Sequence, residues 1–360
     1  MADAATFATE TEPYRRELFA HCYRMLGSVL DAEDLVQETY LRAWRHYDKF
    51  EGRSSVRTWL YQIATNGCLT ALAKRRDAER RVLPSGLGPP EDNTEAAVLE
   101  PDRRVRWVQP VPDALIAPES GDPAAVVAAR EGVRLALVAS LQHLPARQRA
   151  VLVLREVLAL PASEVAEILQ TSTASVKSAL QRARATLREQ APAEDRISEP
   201  KAPQARAVLE RYIKAFENAD ADALQQLLVQ DATIEAPPMR AWFQGVQKCV
   251  PVLRHVMGEP GQWRMLPITG GANGSPAAAG YLRDEDGRYR PYGVVVLDVV
   301  GDRIARITSF GDPALLPVFG FENAPIGADA EVRLVCGYLE AFYVFEHGLM
   351  ASQGAQFGGA

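Results

Sequence analysis

An amphipathic pattern over residues 31–47 predicts a long helix near the start of the chain. Residues suited to a core recur every three or four positions, at Leu35, Val36, Thr39, Tyr40, Ala43, Trp44 and Tyr47. Asp31 is expected to cap this helix by accepting hydrogen bonds from its free backbone N–H groups. The other face is polar, with Asp34, Gln37, Glu38, Arg42 and Arg45. Such a face is either solvated or meets a basic partner.

A second helical pattern, over residues 56–73, is rich in aromatic and amide side chains and ends in a cluster of cations. The surrounding segment has a positive excess, with Arg53, Arg57, Lys74, Arg75, Arg76, Arg80 and Arg81 against Asp77 and Glu79. Because the whole chain has a net charge of −6, a local basic stripe indicates a dedicated surface for a polyanion. The alternative is that Trp59, Leu60 and Ile63 are core residues and that the arginines only lie along the surface.

These residues resemble a known family. The run from Tyr14 to Asp77, with the segments DAEDLVQETYLRAW and WLYQIATNGCLTALAKRR, is similar to region 2 of bacterial sigma factors of the extracytoplasmic-function (ECF) group. The resemblance implies that Asp34, Gln37, Glu38 and Arg42 bind the β′ subunit of RNA polymerase. It also implies contacts to the non-template strand of a melted −10 promoter element from Arg53, Ser54, Arg57, Trp59, Asn66, Arg75 and Arg76.

A helix-turn-helix pattern follows over residues 141–189. One helix is predicted to open near Pro145, and a short amphipathic helix covers 163–169. Gln170 then occupies a position where a left-handed residue is common, although the turn lacks the usual glycine. Ser172 or Thr173 is expected to cap a second helix, whose core stripe is Val176, Leu180, Ala183 and Leu187. A basic second helix of this kind enters the major groove of DNA.

The run SVKSALQRARATL closely resembles the end of sigma region 4, which binds the −35 element. The resemblance implies base and phosphate contacts from Ser172, Thr173, Ser175, Lys177, Ser178, Gln181 and Arg182. Two matching regions in the right order identify the chain as a member of the sigma-70 family.

Composition agrees with a multidomain protein of the cytoplasm. The chain has 360 residues, of which 47% are hydrophobic, enough for several cores. The four cysteines are scattered without a CxxC pair or a His/Cys cluster, so neither disulfides nor a metal site are expected. No cofactor is expected either. The sequence shows no apolar run of membrane-spanning length and no signal peptide at its start.

Proline residues divide the two helical regions. Residues 83–123 are dense in Pro, Gly and acidic residues, which excludes long helices and central strands. Within this linker, Trp107 precedes an extended Val-Gln-Pro-Val-Pro segment. The tryptophan either docks on another domain or serves as a local packing anchor, and the segment resembles a regulatory linker signature of sigma factors with an extra C-terminal domain.

The C-terminal part has the pattern of an α+β domain. Three helices are predicted: one over 205–217, one that begins after Asp220 as its cap, and one over 246–257. A strand is predicted at 232–236, and a hairpin is predicted to turn at Gly301-Asp302. The order resembles a SnoaL-like cone, a fold that includes enzymes and simple binding shells. Each of five ionisable residues is either an acid or base of such an enzyme or, more commonly, a surface charge: Asp231, Glu235, Arg240, His255 and Asp298. Trp242, Phe243 and Trp263 are expected to fill the core rather than line a pocket.

The sequence therefore predicts two all-α domains, sigma region 2 and a region 4 helix-turn-helix, followed by the SnoaL-like α+β domain. The predicted boundaries are 10–80 for region 2, 81–130 for the linker, 131–190 for region 4, 204–323 for the cone and 324–360 for an extension. The expected function is promoter-specific transcription initiation without catalysis. The expected partners are promoter DNA, the β′ and β subunits of RNA polymerase core enzyme and a small-molecule ligand of the cone, with no membrane. The alternatives are a helix-turn-helix regulator with a ligand-sensing domain and an enzyme regulated by its DNA-binding modules.

Overall fold

The computed structural model describes residues 4–74, 80–94, 100–117, 129–190 and 202–327. Two of the predicted DNA contacts, Arg75 and Arg76, and most of the C-terminal extension, residues 328–360, lie outside these ranges. Three units follow one another along the described chain: a first helical unit, a second helical unit and an α+β unit.

The first helical unit buries one shared core. Its helices are α1 (Ala4–Thr11), α2 (Arg15–Leu26), α3 (Val29–His46) and α4 (Val56–Ala73). The predicted stripe of α3 is confirmed, because Leu35, Val36, Thr39, Tyr40 and Ala43 are buried. The predicted cap was wrong. Ser28 opens α3 and its Oγ accepts from the Asp31 backbone N at 3.1 Å, since Ser28 has the extended backbone that a cap requires.

The second helical unit contains the helix-turn-helix. Its helices are α5 (Leu135–Gln142), α6 (Ala146–Leu152), α7 (Ala162–Ile168) and α8 (Thr173–Gln190). Gln170 has φ +49°, which confirms the left-handed turn residue between α7 and α8. Ser172 caps α8, accepting from the Ser175 backbone N at 3.1 Å. Val176 and Ala183 are buried as predicted.

The α+β unit packs helices on one face of a mixed sheet. Its elements are α9 (Ala202–Glu217), α10 (Ala221–Leu227), β1 (Leu228–Glu235), β2 (Trp242–Gln244), α11 (Val246–Met257), β3 (Trp263–Pro267), β4 (Ala277–Arg283), β5 (Tyr289–Val300) and β6 (Arg303–Phe310). The strand order is β2-β1-β6-β5-β4-β3, parallel between β1 and β6 and antiparallel elsewhere. The predicted Asp220 cap and the hairpin at Gly301-Asp302 are confirmed.

Alternate residues of this sheet serve two different cores. Val295, Leu297 and Ile307 pack against α9–α11, whereas Val294 and Val296 belong to the same hydrophobic cluster as the two helical units. Because side chains alternate between the faces of a strand, the helices cover one face and the rest of the protein packs against the other. The three units therefore form one continuous packed structure.

Candidate nucleic-acid and partner interfaces

The polar face of α3 is open to solvent. Asp34, Gln37, Glu38 and Arg42 are all exposed, as the amphipathic pattern predicts. Arg42 forms an ion pair with Glu38 one helical turn earlier, and their side chains remain 46% and 51% exposed. An exposed pair of this kind contributes little to stability, so this face is free to exchange its internal contacts for those of a basic partner.

The start of α4 is largely engaged within the protein. Arg57 binds the Glu17 carboxylate of α2 through Nε and Nη2 at 2.8 and 3.0 Å, and its guanidinium lies 5.2 Å from the Tyr61 ring centroid. Trp59 is half-buried and stacks on Phe50 at a centroid distance of 4.8 Å. These contacts hold two of the residues predicted to contact a single strand.

The remaining described residues of the predicted −10 surface are less constrained. Arg53 is 87% exposed and pairs with Glu51 at 3.1 Å. Asn66 is exposed on α4, and Ser54 is half-buried just before the helix begins. The structure therefore brings Arg53, Ser54 and Arg57 together at one end of α4, with Asn66 farther along the same helix.

The predicted recognition surface of α8 is exposed along its first three turns. All seven predicted residues are exposed: Ser172, Thr173, Ser175, Lys177, Ser178, Gln181 and Arg182. Arg182 donates to Ser178 Oγ at 2.6 Å, and Ser172 bonds Ser175 at 2.9 Å. A helix with hydroxyl, amide and basic side chains at its open N-terminal end has the chemistry to contact base edges and phosphates in a major groove.

The two helical units contact each other directly. Arg149 of α6 reaches the end of α2 and donates to the backbone carbonyl of Met25, while Gln142 Nε2 donates to the carbonyl of Arg24 at 3.2 Å. The Arg24 guanidinium in turn donates to the Gly132 carbonyl at 2.8 Å. Burial lowers the pKa of Arg24 to about 10, so it still carries its charge near neutral pH. Side chains of the second unit thus satisfy carbonyls at the C-terminus of α2.

A further contact covers the start of α4. The Thr58 hydroxyl donates to the Glu164 carboxylate of α7 at 3.0 Å, in a half-buried environment. Thr58 is itself buried, and its backbone N–H is held by the Ser55 cap. The helix-turn-helix unit therefore lies against the same end of α4 that carries Arg53 and Arg57.

A loop of the α+β unit joins all three units through Asn273. Its Nδ2 donates to the Tyr23 hydroxyl at 2.8 Å and to the Val133 carbonyl at 2.5 Å, while its Oδ1 accepts from the Val111 backbone N at 2.8 Å. Asn273 is 1% exposed and has φ +53°, a conformation that asparagine tolerates better than most residues. One side chain thereby connects the first helical unit, the linker and the second helical unit.

The linker is packed rather than free. Its Val82, Leu83, Val108 and Val111 are buried. Arg81, just before them, donates to the Asp31 carboxylate and to the Trp107 carbonyl, each at 2.8 Å. Trp107 is half-buried and pairs through its backbone with Val82, which favours the interpretation of a local packing anchor.

The linker also follows the rim of the α+β unit. Trp242 Nε1 donates to the Gly88 carbonyl at 2.9 Å, and the Asp102 backbone N donates to the Pro238 carbonyl at 2.9 Å. The buried Glu235 carboxylate accepts from the Ser85 backbone N at 3.2 Å. These hydrogen bonds satisfy backbone groups of the linker and fix its described part on the α+β unit.

The interior of the α+β unit holds a small apolar cavity of about 60 Å³. Tyr212, Phe216, Phe243, Trp263 and Tyr292 are among its lining residues. Phe243 and Trp263 therefore fill the core and line the cavity together, whereas Trp242 is directed to the linker.

None of the five ionisable candidates belongs to the described lining of this cavity. Asp231, Arg240 and His255 are exposed. Glu235 and Asp298 both contact Arg306 on the other face of the sheet, at 3.4 and 3.8 Å. Among the described residues there is also no group of three or more His, Cys, Asp or Glu able to hold a metal ion.

Comparisons with known proteins match both helical units. The Sigma-70 region 2 family model covers residues 11–78, and the model for Sigma-70, region 4 covers residues 134–187. The chain is 49% identical over 321 residues to the ECF RNA polymerase sigma factor SigG of Mycobacterium tuberculosis. This alignment covers 88% of this chain and 84% of that protein. The chain belongs to the ECF sigma factors.

Two further similarities extend into the α+β unit. SigJ, an ECF sigma factor of Mycobacterium tuberculosis, is 32% identical over 256 residues, or 69% of this chain and 72% of that protein. The crystal structure of that organism's SigJ aligns with a TM-score of 0.56 at 23% identity, over 86% of this chain and 98% of that one. The first helical unit matches sigma region 2 and the second matches region 4, and the third is the predicted α+β unit, called the cone below. The predicted fold class is confirmed.

The contacts between sigma regions are the part that sequence reasoning missed. Arg149 and Glu164 lie on helices that the pattern predicts, whereas Gln142 ends α5, a helix that the pattern does not predict. Nothing in the pattern distinguishes these three from surface residues. Asn273 lies in the run Gly-Gly-Ala-Asn-Gly over residues 270–274, which indicates only a loop. One signal was available: Arg149 falls next to the buried run Ala150–Leu154, where a charged residue requires polar partners.

No described helix combines the length and apolar content needed to cross a membrane.

Proposed function

We propose that this sigma factor is held in a closed arrangement, defined by the contacts of Arg149, Glu164 and Asn273, from which polymerase and promoter DNA must release it. In the open form, α3 binds the β′ subunit of core polymerase and region 4 binds the β subunit. The −10 element is contacted by Arg53, Ser54, Arg57, Trp59, Asn66, Arg75 and Arg76. The −35 element is contacted by the seven exposed residues of the α8 surface.

The distance between the promoter elements is the observation that carries this proposal. Elements named −10 and −35 are separated by about 25 base pairs, which is roughly 85 Å along straight B-DNA at ~3.4 Å per base pair. Region 2 and region 4 are instead in hydrogen-bond contact through Thr58 and Glu164 at 3.0 Å. One molecule cannot bind both elements until this contact is broken.

Contacts of two kinds occupy the start of α4. Within region 2, two of the three Arg57 guanidinium nitrogens bind the Glu17 carboxylate, and in the closed arrangement Glu164 of α7 bonds the adjacent Thr58. By contrast, the docking face of α3 and the recognition face of α8 are exposed. We infer that core polymerase captures the closed form through α3 and that the energy of binding then separates the regions.

The cone acts in this proposal as a regulatory clamp and not as an enzyme. Asn273 ties it to both sigma regions, and the linker is bonded along its rim. Its ionisable candidates are exposed or paired outside the cavity, which supports a binding or structural role. A small apolar molecule remains a candidate ligand for the cavity.

A small free-energy difference between the closed and open forms is enough to change the fraction of open molecules. Three hydrogen bonds from one buried side chain contribute roughly 1 kcal/mol each in net terms. A coupling of about 3 kcal/mol changes the fraction of open molecules by roughly a hundredfold. Removing the Asn273 side chain should therefore shift the balance without dismantling a domain.

Run-off transcription tests the clamp. Asn273→Gly removes the amide and is compatible with the positive φ of this position, so it should raise output from one promoter several-fold at limiting polymerase. Trp107→Ala, which loosens the linker, should act in the same direction. Promoter choice should not change. Asn218→Gly is the matched control, since Asn218 is an exposed asparagine of the cone that bonds only within its own helix end. Equal output from all four proteins would remove the regulatory role of the cone.

A further inference from the structure

A cleft of about 520 Å³ opens between three parts of the chain that the sigma function does not explain. Arg80 comes from the segment after α4, Asp102 and Arg104 come from the linker, and Arg240 comes from the cone. Pockets that bind small molecules in proteins are typically about 300–1,000 Å³. The volume of this cleft therefore falls within the range of ligand-binding pockets.

Three guanidinium groups line this cleft against one carboxylate. Asp102 accepts from Arg104 at 3.0 and 3.1 Å and from Arg240 at 3.4 Å, so one carboxylate pairs with two guanidinium groups. The Asp102 side chain is 9% exposed, while those of Arg104 and Arg240 are 87% and 55% exposed. The carboxylate thus lies beneath the two guanidinium groups. Arg80, also exposed, adds a third positive charge.

Most of the hydrogen-bonding capacity of these arginines points away from Asp102. A guanidinium carries five N–H donors in a planar fork that matches the oxygens of a phosphate group. Arg104 commits two nitrogens to Asp102, and Arg240 commits one. An anion at the mouth of the cleft would meet donors from two or three side chains, in charge-assisted bonds that are stronger than neutral ones.

The rest of the lining is apolar. Val82, Leu87 and Val105 form the wall beside the arginines, and Val82 is 3% exposed. This combination suits a molecule that has both a phosphate group and a flat, weakly polar ring. The ring would pack on the aliphatic wall, and a guanidinium plane can stack on its face.

We propose that this cleft binds a phosphorylated small molecule of the nucleotide class, with its phosphates among Arg80, Arg104 and Arg240 and its base against Val82, Leu87 and Val105. The occupant would connect the linker with the cone next to the hydrogen bond between Asp102 N and Pro238 O. The proposal concerns binding by the protein alone and does not depend on the clamp described above.

Isothermal titration of the full-length protein at about 0.15 M salt, without polymerase or DNA, tests the site. The probes are inorganic phosphate, pyrophosphate, ATP and GTP, each without divalent cations. A nucleoside triphosphate should bind saturably to one site and more tightly than either inorganic probe. Arg80→Glu should weaken this binding at least about tenfold, because it reverses a charge and leaves both pairs of Asp102 in place.

A gain of affinity distinguishes the ligand site from a purely structural cluster. Asp102→Asn removes the negative charge but keeps the backbone hydrogen bond to Pro238, so nucleotide binding should tighten several-fold. If these pairs served only to hold the linker, the substitution would not improve binding.

Two controls exclude other basic surfaces. Arg290→Ala changes an exposed arginine of the cone that pairs with Asp284 at 2.7 Å outside the cleft, and it should leave affinity unchanged. Arg206→Ala, at an 80% exposed arginine of α9, should also leave nucleotide affinity unchanged. The proposal is wrong if no probe binds saturably, if inorganic phosphate binds as tightly as ATP and GTP, or if either control weakens binding as much as Arg80→Glu.

Discussion

Helices α3 and α4 are neighbours that share the core of region 2, yet their outward surfaces are in opposite states. The polar face of α3 is exposed, and Glu38 and Arg42 form an ion pair on its surface. The start of α4 is engaged, with Arg57 bound to Glu17 and Thr58 bound to Glu164 of region 4. We infer that polymerase binding and strand separation are controlled separately in this protein.

The difference follows from which elements each helix faces. The buried stripe of α3 packs inward on α2 and α4, whereas Asp34, Gln37, Glu38 and Arg42 on its other side are exposed in the described part of the chain. The start of α4 lies where α7 approaches, and that approach is fixed by Arg149 and Gln142 at the end of α2. The start of α4 is thus covered by region 4, which must move away from region 2 to reach the −35 element.

The largest expected effect is the loss of polymerase binding when the α3 face is reversed. Asp34→Arg with Glu38→Arg should weaken binding to core polymerase at least about a hundredfold, because two exposed charges change sign at a proposed interface. Affinity is measured by pull-down and fluorescence anisotropy with purified core enzyme. The fold should be unaffected, since both residues are exposed.

A matched reversal separates this effect from net charge. Glu210→Arg with Asp222→Arg changes two exposed acids of the cone by the same amount. This control should bind core polymerase normally. If the α3 variant also binds normally, the open face of α3 is merely solvated and the comparison with α4 loses its functional meaning.

The second prediction breaks the contact that covers α4. Arg149→Ala removes a buried guanidinium that donates to the Met25, Gln142 and Leu144 carbonyls, leaving them unsatisfied at a cost of roughly 2–4 kcal/mol. The regions should separate, which raises the radius of gyration in small-angle scattering and speeds hydrogen exchange at the start of α4. Arg206→Ala, on an 80% exposed arginine of α9, should change neither. Unchanged exchange in α4 with a normal fold would mean that Arg149 does not maintain the cover.

The sequence predicts these surfaces better than it predicts their partners. The stripe of α3, the left-handed Gln170 and the bounds of α11 follow from local patterns, because helix periodicity and turn chemistry act over a few residues. The cap at Ser28 was missed because Asp31 also fits the preference for a capping residue. The contacts of Asn273 join residues up to 250 positions apart, and no periodicity encodes them. Packing decides such contacts, so the closed arrangement required a structure.

The third prediction sharpens the contrast between covered and open DNA-binding surfaces. Lys177 and Arg182 are exposed on α8 in the closed arrangement, so region 4 should already bind a −35 duplex. Lys177→Ala with Arg182→Ala should weaken that binding about 10- to 100-fold and reduce the slope of log K against log salt by roughly 1–2. Anisotropy titrations with labelled duplex measure both quantities.

The matching prediction for region 2 concerns strand separation at the −10 element. Arg53→Ala should leave duplex binding unchanged and instead lower permanganate reactivity of the melted −10 strand in the presence of polymerase. Lys214→Ala, on an exposed lysine of the cone, should affect neither assay. The division of labour between regions 2 and 4 fails if the α8 pair and Arg53 give the same defect.

The smallest expected effect tests whether the core shared by α2 and α4 is stable independently of the cover. His21 is fully buried, bonds Thr65 of α4 at 3.0 Å and contacts the Tyr61 ring. Burial, together with the nearby Arg24 charge, lowers the pKa of His21 to about 3. The unfolded chain, with an ordinary histidine pKa of about 6.5, therefore binds more protons between pH 3 and 6.5, and stability falls as the pH falls through this window. Between pH 7 and pH 5 the loss should be about 2 kcal/mol, measured as the free energy of unfolding in urea.

His21→Gln should reduce this pH dependence while keeping a hydrogen bond to Thr65. His255→Gln, at an exposed position, should not. Because the shift arises inside region 2, it should persist in Arg149→Ala, whereas its disappearance there would mean that the cover and the core of region 2 form a single cooperative unit.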